Sequence, residues 1–226
     1  MADLNGEFDL TGSTLQGQFG KVKPLPTFDA VSFSHEQGAG AINIAHVTAN
    51  LANRLMLVSC GIRGGIAISG MTYNGVALTK LAHHQSGGDV RVEMWYLVAP
   101  AVGSHTLAVT SANNDQVKAT ICRTYYDVDQ ATPLGTQGTA DGNSGDTSVN
   151  AGATASPSIV ADIMALQGGG GAPFVEGAGQ TSRDEYAGVN GSACASEKAG
   201  EAVTTLTWDF TGTMIWAAMA VAINGG

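Results

Sequence analysis

Several groups of residues in this 226-residue chain carry side chains of the kinds that do chemistry. Asp184 and Glu185, flanked by Arg183 and Tyr186, are the densest acidic cluster. Two carboxylates near each other in space are what glycoside hydrolysis needs, but a salt-bridged exposed strand accounts for the same residues. Asp141-Gly-Asn143-Ser-Gly-Asp146 places three carboxylate or amide groups within six residues, as a calcium loop does. The bidentate Glu that completes an EF-hand is missing, and Asp-Gly and Asn-Ser are ordinary turn formers. His83 and His84 are neighbours on an expected strand, so they point to opposite faces and do not share a metal. His35, His46 and His105 are isolated. No serine stands in a G-x-S-x-G elbow, and Gly168 to Gly171 lack the Lys-Ser/Thr of a phosphate loop. Trp95 and Trp208 alternate with charged or polar neighbours, so they are expected to be partly exposed, at a subunit contact or as carbohydrate contacts. Trp216, within Met214 to Met219, reads as core. These residues supply no catalytic set, no metal ligands and no cofactor site, and the chain reads as one that binds and assembles, not as an enzyme.

The elements that position these residues read as strands. From Ala41 onward, apolar or alternating runs of roughly 5 to 10 residues recur between Gly, Asn, Asp and Ser. Tyr73-Asn74-Gly75-Val76 predicts a tight hairpin, because Asn-Gly populates the positive φ values of a type I′ turn. In Val90 to Val98, the residues Val90, Val92, Met94, Tyr96 and Val98 fall on one face, and Arg91, Glu93, Trp95 and Leu97 on the other. Gly135 to Gly145 is expected to be a polar loop, and Gly168 to Gly171 a flexible connection. Thirteen such runs without helical periodicity predict an all-β, antiparallel double-sheet sandwich, jelly-roll-like, over residues 28–226. Residues 1–27 read as an extended N-terminal arm closed by Lys23-Pro-Leu-Pro26. Phe8, Leu10, Leu15 and Phe19 would be wasted on a solvated tail, so they are its candidate anchor or assembly contacts.

Composition narrows the partners. Ten Lys and Arg stand against nineteen Asp and Glu, with no basic run, which disfavours nucleic acid. No apolar stretch is long enough to span a membrane as a helix, and Met1 to Gly20 lack the basic and apolar regions of a signal peptide. Glycine, at 31 residues, is about twice its average share and implies many tight turns. Cys60, Cys122 and Cys194 are odd in number and widely spaced, as buried thiols are, and no C-x-x-C occurs.

Four segments carry a resemblance. They are Met71-Thr-Tyr-Asn-Gly-Val-Ala-Leu78, Val90-Arg-Val-Glu-Met-Trp-Tyr-Leu-Val-Ala-Pro100, Gly103-Ser-His-Thr-Leu-Ala-Val-Thr110 and Tyr126-Asp-Val-Asp-Gln-Ala-Thr-Pro-Leu-Gly135. This pattern resembles a jelly-roll domain of structural proteins of tailed bacteriophages and of related bacterial surface proteins. The resemblance implies a β-sandwich displayed on a particle, with no catalytic residues to carry over. The expectation is therefore a virion structural protein, a head decoration, fibre or spike, assembled in the host cytoplasm. It would be a homo-oligomer, a trimer ahead of a dimer, anchored on the major capsid or another virion protein through the arm. The alternatives are a carbohydrate-recognition module binding host surface glycans and a polysaccharide hydrolase.

Overall fold

The computed structural model describes residues 22–37, 41–111, 117–151, 157–168 and 173–226. The arm residues Phe8, Leu10, Leu15 and Phe19, and residues 169–171 of the glycine run, lie outside them.

The described residues form an all-β, antiparallel sandwich with no helix. A central sheet contains β1 (Thr27–Gln37), β3 (Leu55–Arg63), β6 (Thr79–Ser86), β7 (Val90–Val98) and β9 (Val117–Tyr126), in the order β1-β9-β3-β7-β6. A small sheet of β2 (Ala41–Thr48), β8 (Gly103–Ser111), β4 (Ile68–Tyr73) and β5 (Val76–Ala77) covers one of its faces. The other face packs on a large sheet, ordered β10 (Leu134–Ala151), β15 (Thr204–Asn224), β11 (Ser158–Gln167), β14 (Gly191–Ala199) and β13 (Thr181–Gly188), with β12 (Val175–Glu176) pairing β15. The expected sandwich is thus present, and the small sheet adds a layer to it.

The layering explains the sequence patterns. Leu55, Leu57, Val92, Met94 and Ile121 of the central sheet meet Ile163, Ala165, Ala193, Met219 and Val221 of the large one. Met56, Val58, Cys60 and Cys122, on the opposite face, meet Ile42, Ile44, Met71, Leu107 and Val109 of the small sheet. Strand β3 is buried on both sides from Leu55 to Ile62, which is why it reads as a run and not as an alternation. Strand β2, covered on one side only, alternates strictly. Each Leu, Ile or Val so buried contributes about 1.5–3 kcal/mol of transfer free energy. The sheets approach closely at Gly61 of β3, where a Cβ would lie 2.9 Å from the Cβ of Ala193 and 3.0 Å from that of Ala165.

The long hairpin β10–β15 makes a further layer. Its pairing shifts register between Ser144 and Asp146, and Gly212 opposite takes φ +90°. Beyond this bend Leu206, Trp208 and Phe210 fold back over Val160, Met164, Ala218 and Ala220 on the outer face of the large sheet. The Asn74-Gly75 turn joins β4 to β5 with φ of 49° and 78°, as a type I′ hairpin requires. Two expectations are corrected. Gly135 to Gly145 is not a loop but part of β10, held by its ladder with β15; Gly142 leaves room for the Trp216 indole, which a Cβ would approach to 2.8 Å. Thr27–Gln37, which the sequence pattern did not mark, is an edge strand paired with β9.

Candidate interaction site

The tryptophans expected at the surface are inside. Trp95 is 7% exposed between the central and small sheets, and its Nε1 donates to Glu93 Oε2 at 3.0 Å. Trp208 is 1% exposed on the outer face of the large sheet and donates to Asp162 Oδ2 at 2.9 Å. Alternation misleads for two reasons: beside Trp95 the charged residues Arg91 and Glu93 are buried as well, and Trp208 lies on the covered face of a strand whose Thr205 and Asp209 stay exposed. Glu93 is fully buried, holding Arg91 Nε at 2.5 Å, Lys80 Nζ at 2.9 Å and the backbone N–H of Ile68 at 3.3 Å. A carboxylate in this position is tolerable because it is paired and its lone pairs are filled.

A second polar cluster ties the central sheet to the large one. Arg123, fully buried on β9, donates to the carbonyls of Ser196 at 2.8 Å and Asp162 at 2.9 Å, and to Ser59 Oγ at 2.9 Å. The Asp162 side chain accepts from the backbone and hydroxyl of Ser196 as well as from Trp208. Burial pushes the Asp162 carboxyl up to about 6, against those hydrogen bonds and the Arg123 charge. Tyr125 donates to Glu197 Oε2 at 2.8 Å, and Arg183 binds the other oxygen of Glu197 while lying 3.6 Å over the Phe28 ring. The acidic candidates are similarly engaged: Asp184 pairs with His35 at 2.8 Å, and Glu185 accepts from Ser182. Asp141, in the segment with calcium-loop spacing, accepts from His84 and Ser86, joining β10 to β6. Among the described residues, no group of three His, Cys, Asp or Glu side chains could hold a metal ion.

Two surface features among the described residues offer contact surfaces. At the edge where β1 and β13 lie side by side, Phe33, His35 and Tyr186 stack in series, with ring centroids 5.0 and 4.2 Å apart and tilts of 14° and 24°. The stack ends in Phe33, 54% exposed. The alternation Val31-Ser32-Phe33-Ser34-His35 was the sequence signal that would have found it. The second feature is an open concavity of about 360 Å³ beside the small sheet, with Met71, Leu78 and Trp95 among its lining and Ser69, Gly70, Thr72 and Thr110 around them. Among the described residues, no ionisable side chain lines it. The chain matches no family model, no curated protein and no solved structure.

Proposed function

We propose that the chain is a virion structural protein, a decoration, fibre or spike component displayed on a particle, self-associated and anchored through residues 1–27. The observation that carries this reading is the division of labour among its side chains. Among its buried ionisable groups, Glu93, Asp162, Arg123 and Glu197 are bound to structural partners, and the aromatic stack ending in Phe33 is left at an outer edge. A rigid core with a contact edge suits a protein that is built into an assembly. The bacteriophage resemblance supports the same reading; three of its four segments fall on β4, β5, β7 and β8, and the fourth runs from the end of β9 to the start of β10. Removal of residues 1–21 leaves every strand of the described residues in place, so the shortened chain should fold. It should no longer decorate particles, and full occupancy by the truncated chain would overturn the anchor. Light scattering should give a trimer for the whole chain and a smaller species for Phe33→Ser.

One observation favours a second reading, recognition of a neutral host glycan. The uncharged concavity offers the Ser69, Thr72 and Thr110 hydroxyls beside apolar Met71 and Leu78. A Cβ on Gly70 would have nothing within 4 Å, so Gly70→Trp would fill the space without disturbing the core. Glycan-array binding by the whole chain that Gly70→Trp abolishes would support this reading; no binding to neutral glycans would end it.

A further inference from the structure

We propose that Ser32 is a reactive serine, activated by His46 at the seam between β1 and β2, and that its substrates are small activated esters and related phosphonyl donors. The residues form one hydrogen-bonded chain drawn from three strands. Ser32 Oγ lies 3.0 Å from His46 Nδ1, His46 Nε2 lies 3.1 Å from Thr124 Oγ1, and Thr124 Oγ1 lies 2.9 Å from Asp29 Oδ2.

The proton positions follow from the acidic end inward. The Asp29 carboxylate only accepts, and it takes the backbone N–H of Ala49 at 3.0 Å together with the Thr124 hydroxyl. Having given its one proton to Asp29, Thr124 can only accept from His46. Nε2 therefore carries the imidazole proton, and Nδ1 holds a lone pair. The hydroxyl of Ser32 donates to that lone pair, which is the relation of a nucleophile to its general base. The imidazole is also fixed in place: it lies edge-on to the Tyr73 ring at 6.2 Å, and the Tyr73 hydroxyl donates to the His46 carbonyl at 3.3 Å. Burial holds its pKa below the ordinary value, with Asp29 opposing, so the base is the neutral form. His46 is fully buried and Ser32 half-buried on an edge strand, so the nucleophile is the member of the pair that reaches solvent.

In the reaction, Ser32 Oγ attacks the acyl carbon or the phosphorus. The new bond to Oγ forms as the bond to the leaving group breaks. The Oγ proton passes to His46 Nδ1 and then to the departing alkoxide or fluoride. Ser32 and His46 are the catalytic residues, and Thr124 and Asp29 are positioning residues that set the tautomer.

The test is labelling of the full chain by a fluorophosphonate, read by intact mass and peptide mapping. One adduct on Ser32 is expected, absent from Ser32→Ala. Thr124→Val keeps the side-chain shape and removes the relay; it should slow labelling about 10²-fold, the lower end of what a positioned general base supplies. Thr124→Ser should restore the rate, which a merely structural role for Thr124 would not require, and circular dichroism checks that each variant is folded. Absence of an adduct on Ser32 in the folded chain, or a rate that Thr124→Val leaves unchanged, overturns the proposal.

Discussion

Gly61→Ala tests the closeness of the two main sheets. The added Cβ would stand 2.9 Å and 3.0 Å from the Cβ atoms of Ala193 and Ala165, where carbon atoms prefer about 3.5–4.0 Å. Both neighbours are the first atoms of their side chains, so neither can swing aside. The sheets must part locally by roughly 0.5–1 Å, loosening the contacts of Val92 and Ala119, the cross-strand neighbours of Gly61. Alanine favours the strand over glycine by about 0.5–1 kcal/mol, and overpacking costs about 1–3 kcal/mol. The net expectation is a loss of about 1–2 kcal/mol. For a chain of this size each kcal/mol moves Tm by about 2–4 °C, so the melt should fall by about 2–8 °C. Thermal unfolding followed by circular dichroism measures this, and Ala193→Gly in the same chain should recover part of the loss, as a coupled pair does. An unchanged or raised Tm for Gly61→Ala would refute the close approach.

Arg123→Met should cost about 3–5 kcal/mol, because it strips the donors from two buried carbonyls and leaves Asp162 without its neighbouring charge; denaturant titration would show a lowered midpoint. The raised pKa of Asp162 means that the folded chain holds this proton more tightly than the unfolded one. Its contribution is full below the ordinary value of 3.8 and is lost as pH rises through about 6, so unfolding free energies at pH 4, 5 and 6.5 should show a downward component that Asp162→Asn removes. Cys60, Cys122 and Cys194 are buried with their thiols pushed up, Cys60 to about 12, and should ignore a thiol reagent until denaturant is added; rapid reaction of the native chain would contradict their burial.

The strand content was legible because periodicity and burial agree wherever a strand has one covered face, as in β2, or two, as in β3. The division of Val90 to Val98 into two faces was also legible: Val90, Val92 and Met94 meet the large sheet, and Trp95 meets the small one. Exposure was not. Alternation cannot tell a solvated face from one covered by another sheet when the charges on it are paired, and Arg91, Glu93 and Lys80 hid the burial of Trp95 in that way. Gly135 to Gly145 has the composition of a turn, and only the partner strand 70 to 90 residues further on makes it a strand. The chain from Asp29 to Ser32 through His46 and Thr124 had no local signature, because its members come from β1, β2 and β9 and meet only in three dimensions.

The guanidinium of Arg123 acts as a bolt through the sandwich. It is rooted in β9 and fastened to the main chain of both β11 and β14, so the two main sheets cannot slide past each other without stranding a buried cation. Separation of the layers then has no inexpensive first step. Backbone amides of β9, β11 and β14 should exchange with deuterium in a single opening event, and the chain should resist shear as one mechanical body even though its layers come from widely separated parts of the sequence.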